Sequence, residues 1–84
     1  MYVKSIHKRV PETTDPLHRS IYGRMQYVFE LDSSKSAIYC DASLRGIASM
    51  HNAQMFTEGN CLVLDTVGTN NQLAEYILEQ IRQI

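Results

Sequence analysis

Toward the end of the chain, Leu73, Ile77, Ile81 and Ile84 recur at helical spacing with Ala74 and Leu78 alongside, while Glu75, Glu79 and Arg82 fall on the other side. That stripe predicts an amphipathic helix over residues 70 to 84. Earlier the apolar period shortens to two. Residues 2 to 10 (YVKSIHKRV) are rich in β-formers and stop at Pro11, which predicts a strand suited to a sheet edge. Tyr27, Phe29 and Leu31 alternate with Val28 and Glu30; a DSSK turn and a return over residues 37 to 41 complete a predicted hairpin. CLVLD, after the turn residues TEGN and before Gly68, predicts one buried strand.

Two further helices are expected. Thr14 or Asp15 can cap a short one, with Pro16 in its first turn, Leu17, Ile21 and Met25 on one stripe, and Gly23 at its end. Asp41 or Ser43 can start the other, which stops near residues 51 and 52. In this second helix Leu44, Ile47, Ala48 and Met50 cover more than one face, Arg45 is the charged residue, and Gly46 lies inside. A small domain with such a helix has apolar surface to spare for a partner. The predicted order β-α-β-β-α-β-α gives an α+β fold: an open-faced two-layer sandwich of a four-stranded antiparallel sheet with three helices on one face.

The chain of 84 residues is one domain, 1 to 84, of ordinary globular composition: 44% hydrophobic and 20% charged. The net charge of −1 is unevenly spread. Residues 1 to 24 hold five Lys/Arg and two acids, residues 25 to 84 hold three and seven, so the N-terminal third suits an acidic partner surface. Clustered cations interleaved with stacking aromatics are missing, which argues against nucleic acid. No run of 18 uncharged apolar residues and no leader-like segment is present, which points away from the membrane and to the cytoplasm. Cys40 and Cys61 form no CxxC pair and read as small buried hydrophobes in a reducing compartment. His7, His18 and His51 have no zinc-site spacing with them, so no metal and no cofactor are expected. The five tyrosines are spread over separate elements and suit the core margin.

The hairpin FELDSSKSAIYCDA is followed by Ser43, Leu44, Gly46, Ile47, Ser49 and Met50, then by Gly59, CLVLD, Gly68 and the terminal helix. In that order and spacing, residues 27 to 84 resemble the histidine-containing phosphocarrier family, HPr, of the bacterial sugar phosphotransferase system. The resemblance implies an HPr-like sandwich with two phosphorylation positions on one exposed edge. Ser43 matches the family's regulatory serine, the target of an ATP-dependent kinase. A phosphate of about −1.5 to −2 charge at a helix N-terminus meets unpaired N–H groups, whereas a bare cap is the alternative role. Leu44, Arg45, Ile47, Ala48 and Met50 match its partner-docking helix, although the family tends to be apolar at the position of Arg45.

The family's phosphohistidine opens its first helix, and here Leu17-His18-Arg19-Ser20 is the candidate segment. It departs from the family pattern in that Arg19 follows His18 directly, Ser20 stands in place of proline, and the spacing to the hairpin is short. Alignment without a gap puts Pro11 at the catalytic position and leaves His18 inside the helix, away from free amides. The implied partners are phosphotransferase-system proteins: the phosphoenolpyruvate-dependent kinase, sugar-specific components, and the serine kinase or a regulator. Three readings stand at this point. One is a diverged regulatory adaptor acting through Ser43 and the second helix. Another is a monomeric phosphocarrier using His18 and Arg19, with phosphohistidine its one transient chemistry. The last is an unrelated α+β module that binds protein.

Overall fold

The computed structural model describes residues 1–11 and 23–84. Their order is β1 (Val3–Arg9), β2 (Arg24–Leu31), α1 (Ser34–Met50), β3 (Gln54–Glu58), β4 (Cys61–Val67) and α2 (Asn71–Gln83). The four strands form one antiparallel sheet in the order β1-β2-β4-β3. Since β2 and β3 both run antiparallel to β4, α1 is a crossover between two parallel strands that β4 later separates. The α+β class and the four-stranded antiparallel sheet agree with expectation. The described residues contain two helices, and the helix expected from residue 14 or 15 lies outside them up to residue 22; Gly23, its expected end, is in a turn and Met25 belongs to β2.

The largest correction is at residues 34 to 50. The expected turn and return strand are the first half of a 17-residue helix. Ser33, placed in the turn, is its N-cap, and its hydroxyl accepts from the Ser36 N–H at 3.2 Å. Ala37, Cys40, Leu44 and Ala48 form the buried stripe at helical spacing, while Ile38 and Tyr39 both face solvent. Those two β-formers gave AIYC its strand-like look, and the period of the small residues around them decided the structure. The helix ends in a left-handed cap: Asn52 has φ 58°, and the Ala53 N–H returns to the Ala48 carbonyl at 2.9 Å.

The missing strand lies later in the chain. Gln54–Glu58 pairs with β4 through a two-residue Gly59-Asn60 turn, where glycine supplies φ 59°. Asn60 also ties this turn to β2: its amide donates to the Leu31 carbonyl at 2.8 Å and its own carbonyl accepts from the Leu31 N–H at 2.9 Å.

Strand alternation separates the two sheet faces. Tyr27, Phe29, Leu31, Met55, Leu62 and Leu64 face the helices and pack with the α1 stripe and with Leu73, Ala74, Ile77 and Ile81 of α2. Burying this shared core is what stabilises the two layers, at about 25 cal/mol per Å² of apolar surface. Tyr27 also fixes the start of α2. Its hydroxyl accepts from the Asn70 N–H at 2.8 Å and donates to Asn71 Oδ1 at 2.9 Å. At the other end of α2, the Met1 amino group donates to the carbonyls of Ile81, Arg82 and Ile84 at 3.1, 3.2 and 3.0 Å.

Candidate functional site

The expected partner-binding residues all fall on α1, and the helix divides them. Leu44 and Ala48 are buried against the sheet, so they are core residues and cannot touch a partner; this corrects their assignment to the docking surface. Ser43, Arg45, Gly46 and Met50 are exposed, and Ile47 is half-buried at the core margin. Arg45 holds Asp41 one turn back at 2.5 Å, so the pair neutralises itself within the helix. From residue 36 to 50 the helix carries no other charge.

Ser43 is in a different place from the one expected. The helix starts at Ser34, so Ser43 stands in its middle, about two and a half turns in, where backbone N–H groups are already bonded to the preceding turn. A phosphate there would be accessible and would lack the amide cradle of a helix N-terminus. His18 and Arg19 lie outside the described residues.

The exposed end of α1 joins the start of α2 in a shallow groove of about 560 Å³, lined by Ile47, Met50 and His51 on one side and by Leu73, Gln72 and Tyr76 on the other. Its geometry follows from two helical spacings. Ile47 and Met50 are three residues apart, as are Leu73 and Tyr76, so each helix offers one inner and one outer apolar side chain. Met50 is 82% exposed and Tyr76 49%. Leu73, His51 and Tyr76 were not singled out as site residues in the sequence; only the packing of α1 beside α2 brings them to Met50.

The opposite face of the sheet carries a polar network beside the buried Val28 and Val63. Asp65 receives Arg24 Nε on one carboxylate oxygen and Gln26 Nε2 at 2.9 Å on the other. Arg9 donates to Gln26 Oε1 at 2.7 Å and reaches Glu58 at 2.8 Å, although these residues belong to opposite edge strands. Arg9 thus ties β1 to β3 across this face. The Arg9 hydrogen bond lowers the Glu58 carboxyl below its ordinary value. Burial, then the neighbouring Glu30 and Glu58, push the Cys61 thiol up; burial also raises Cys40, against the opposing pull of the Met1 ammonium.

Both described thiols favour the neutral form, and every buried side-chain N or O among the described residues has a partner. No cluster of three His, Cys, Asp or Glu that could hold a metal occurs among the described residues, and no described helix is long and apolar enough to cross a membrane. No family model, curated protein or solved structure matches this chain.

Proposed function

We propose that this chain is a protein-docking module whose helix-side groove, between Ile47 and Met50 of α1 and Leu73 and Tyr76 of α2, seats an apolar segment of another protein. The observation that carries the reading is the exposure of Met50 and Tyr76 at the rim of a groove with a half-buried aliphatic floor. Flexible methionine and amphipathic tyrosine adapt to a partner at low entropic cost. A photo-crosslinking residue in place of Met50 should give a discrete protein adduct in cells, and Tyr76→Lys should remove it. The same crosslinker in place of Lys35, exposed in the first turn of α1, should not give that adduct. An adduct pattern identical at both positions would refute the groove.

The narrower reading is a regulatory relative of the phosphocarrier family, acting beside its phosphotransferase partners in the cytoplasm through Ser43 and this helix. Support comes from the exposure of Ser43 and Met50 on α1. The continuous helix over Ser34–Met50 and the β3–β4 hairpin depart from the element order that the family implies. Intact mass after incubation with the serine kinase and ATP tests Ser43. Incubation with the phosphoenolpyruvate-dependent kinase tests the carrier reading, in which an acid-labile phosphate is lost in His18→Ala. Absence of both adducts leaves the docking module alone.

A further inference from the structure

Among the described residues, the seven residues of β1 form one edge of the sheet and pair with β2 alone, with a register shift between Val3 and Ser5. Their outer N–H and C=O groups are a template for another strand. We infer that β1 is a second docking site, independent of the helix-side groove, that takes an acidic extended segment of a partner protein as a fifth strand.

Charge selects this occupant. Lys4 and Lys8 are exposed with His7 between them, residues 1–11 contain no acid, and Arg9 at the end of the strand is already held by Gln26 and Glu58. A second copy is disfavoured: antiparallel pairing of whole β1 strands about Ile6 sets Lys4 opposite Lys8 twice and Val3 opposite Arg9 twice. Like charges directly opposite each other destabilise a strand pair, whereas Glu or Asp at those positions gains from it. Lysine on an edge guards against self-association, and the same charges recruit an acidic strand.

The edge offers more than charge. Ile6 pairs with Phe29 and lies on the helix side of the sheet, yet remains 44% exposed. Beside it is a pit of about 220 Å³ with Tyr27 and Phe29 at its floor and Ala74 and Leu78 of α2 as its wall. In an added strand, alternate side chains point to one face, so one residue in two would pass over this pit. The segment that fits sets an apolar residue beside Ile6 and acids on either side of it, toward Lys4 and Lys8. Main-chain pairing supplies affinity; the pit, bordered by Lys8 on β1 and Glu75 on α2, takes the apolar residue, and the exposed lysines supply the preference for acid.

The test uses the full chain, isotope-labelled, titrated with a blocked peptide as long as β1 that has a central Val flanked on both sides by Glu, at about 50 mM and about 300 mM salt. A Lys-Val peptide of equal length is the control. The expected result is saturable binding of the acidic peptide, with shifts centred on Val3–Arg9 and slowed exchange of the outward amides of β1. Lys4→Glu with Lys8→Glu should weaken it by about tenfold or more at the lower salt. Lys4→Gln with Lys8→Gln, a milder pair at exposed positions, should give an intermediate loss. Absence of binding overturns the inference, as does equal binding of the Lys-Val peptide. So does binding that shifts the Met50–Tyr76 groove in place of β1, or that leaves the β1 amides unprotected.

Discussion

Gly46→Ala should stabilise the protein. Gly46 stands in α1 about one turn before its C-terminal end, on the solvent side, its φ lies outside the left-handed region, and a methyl group built there meets nothing within 4 Å. No packing term therefore opposes the substitution. The backbone term favours it: glycine in a helix interior is about 0.8–1 kcal/mol worse than alanine, much of it through the freedom glycine gives the unfolded chain. For a domain of this size about 1 kcal/mol raises Tm by about 4–8 °C. Thermal melting by far-UV circular dichroism reads the shift. Urea titration should show a higher midpoint with an unchanged slope, since the same surface is exposed on unfolding. Ser43→Ala on the same side of the helix calibrates the result and should give about half the gain. A loss of stability in Gly46→Ala would refute the reasoning, because it would place a neighbour where α1 faces open space.

Other interactions give predictions of opposite sign. Tyr27→Phe removes the acceptor of the Asn70 N–H and the donor to Asn71, and should cost about 1–3 kcal/mol in urea unfolding. Asp65→Ala strands the Arg24 guanidinium, whose side chain is 18% exposed, and should cost about 3–5 kcal/mol; Arg24→Met combined with Asp65→Leu should recover part of it. Glu58 has a depressed folded pKa, so its bond to Arg9 stabilises the fold above the unfolded value of 4.5 and is lost as pH falls through the folded value. Because the pair is exposed, its worth is under about 1 kcal/mol, and Glu58→Gln should flatten the acid limb of the stability–pH curve by no more than that. Cys40 should resist alkylation at neutral pH until the protein is unfolded, as mass spectrometry under native and denaturing conditions can show.

Elements with one strong period were legible in the sequence. The Leu73-Ile77-Ile81 stripe predicts α2 because its apolar face is continuous and its charges lie opposite, and β1, β2 and CLVLD follow from β-formers bounded by turn residues. Residues 34 to 50 failed for an identifiable reason: apart from Leu44 the buried stripe is made of Ala37, Cys40 and Ala48, small residues that mark a face weakly, and Ile38 and Tyr39 on the exposed side outweigh them in a local reading of its first half. β3 was missed because Gln54, Thr57 and Glu58 dilute its two large apolar residues, Met55 and Phe56. The surplus of apolar residues on α1 was visible in one dimension, and its division into buried Leu44 and Ala48 against exposed Met50 needed the helix to start at Ser34. The pairing of Met50 with Tyr76 joins residues 26 positions apart and has no local signal.

The place of β4 in the sheet bears on how the chain reaches its fold. β4 lies between β2 and β3, yet it is the last strand in the sequence. Until residues 61 to 67 are available, the β1–β2 pair and α1 have no shared sheet on which to pack, and the partly made chain exposes Tyr27, Phe29 and Leu31. Closing the loop between β2 and β4 is a non-local step whose entropy is lost before the core repays it, so sheet closure should limit the folding rate. During synthesis the domain should therefore stay open to chaperones and proteases until β4 has left the ribosome.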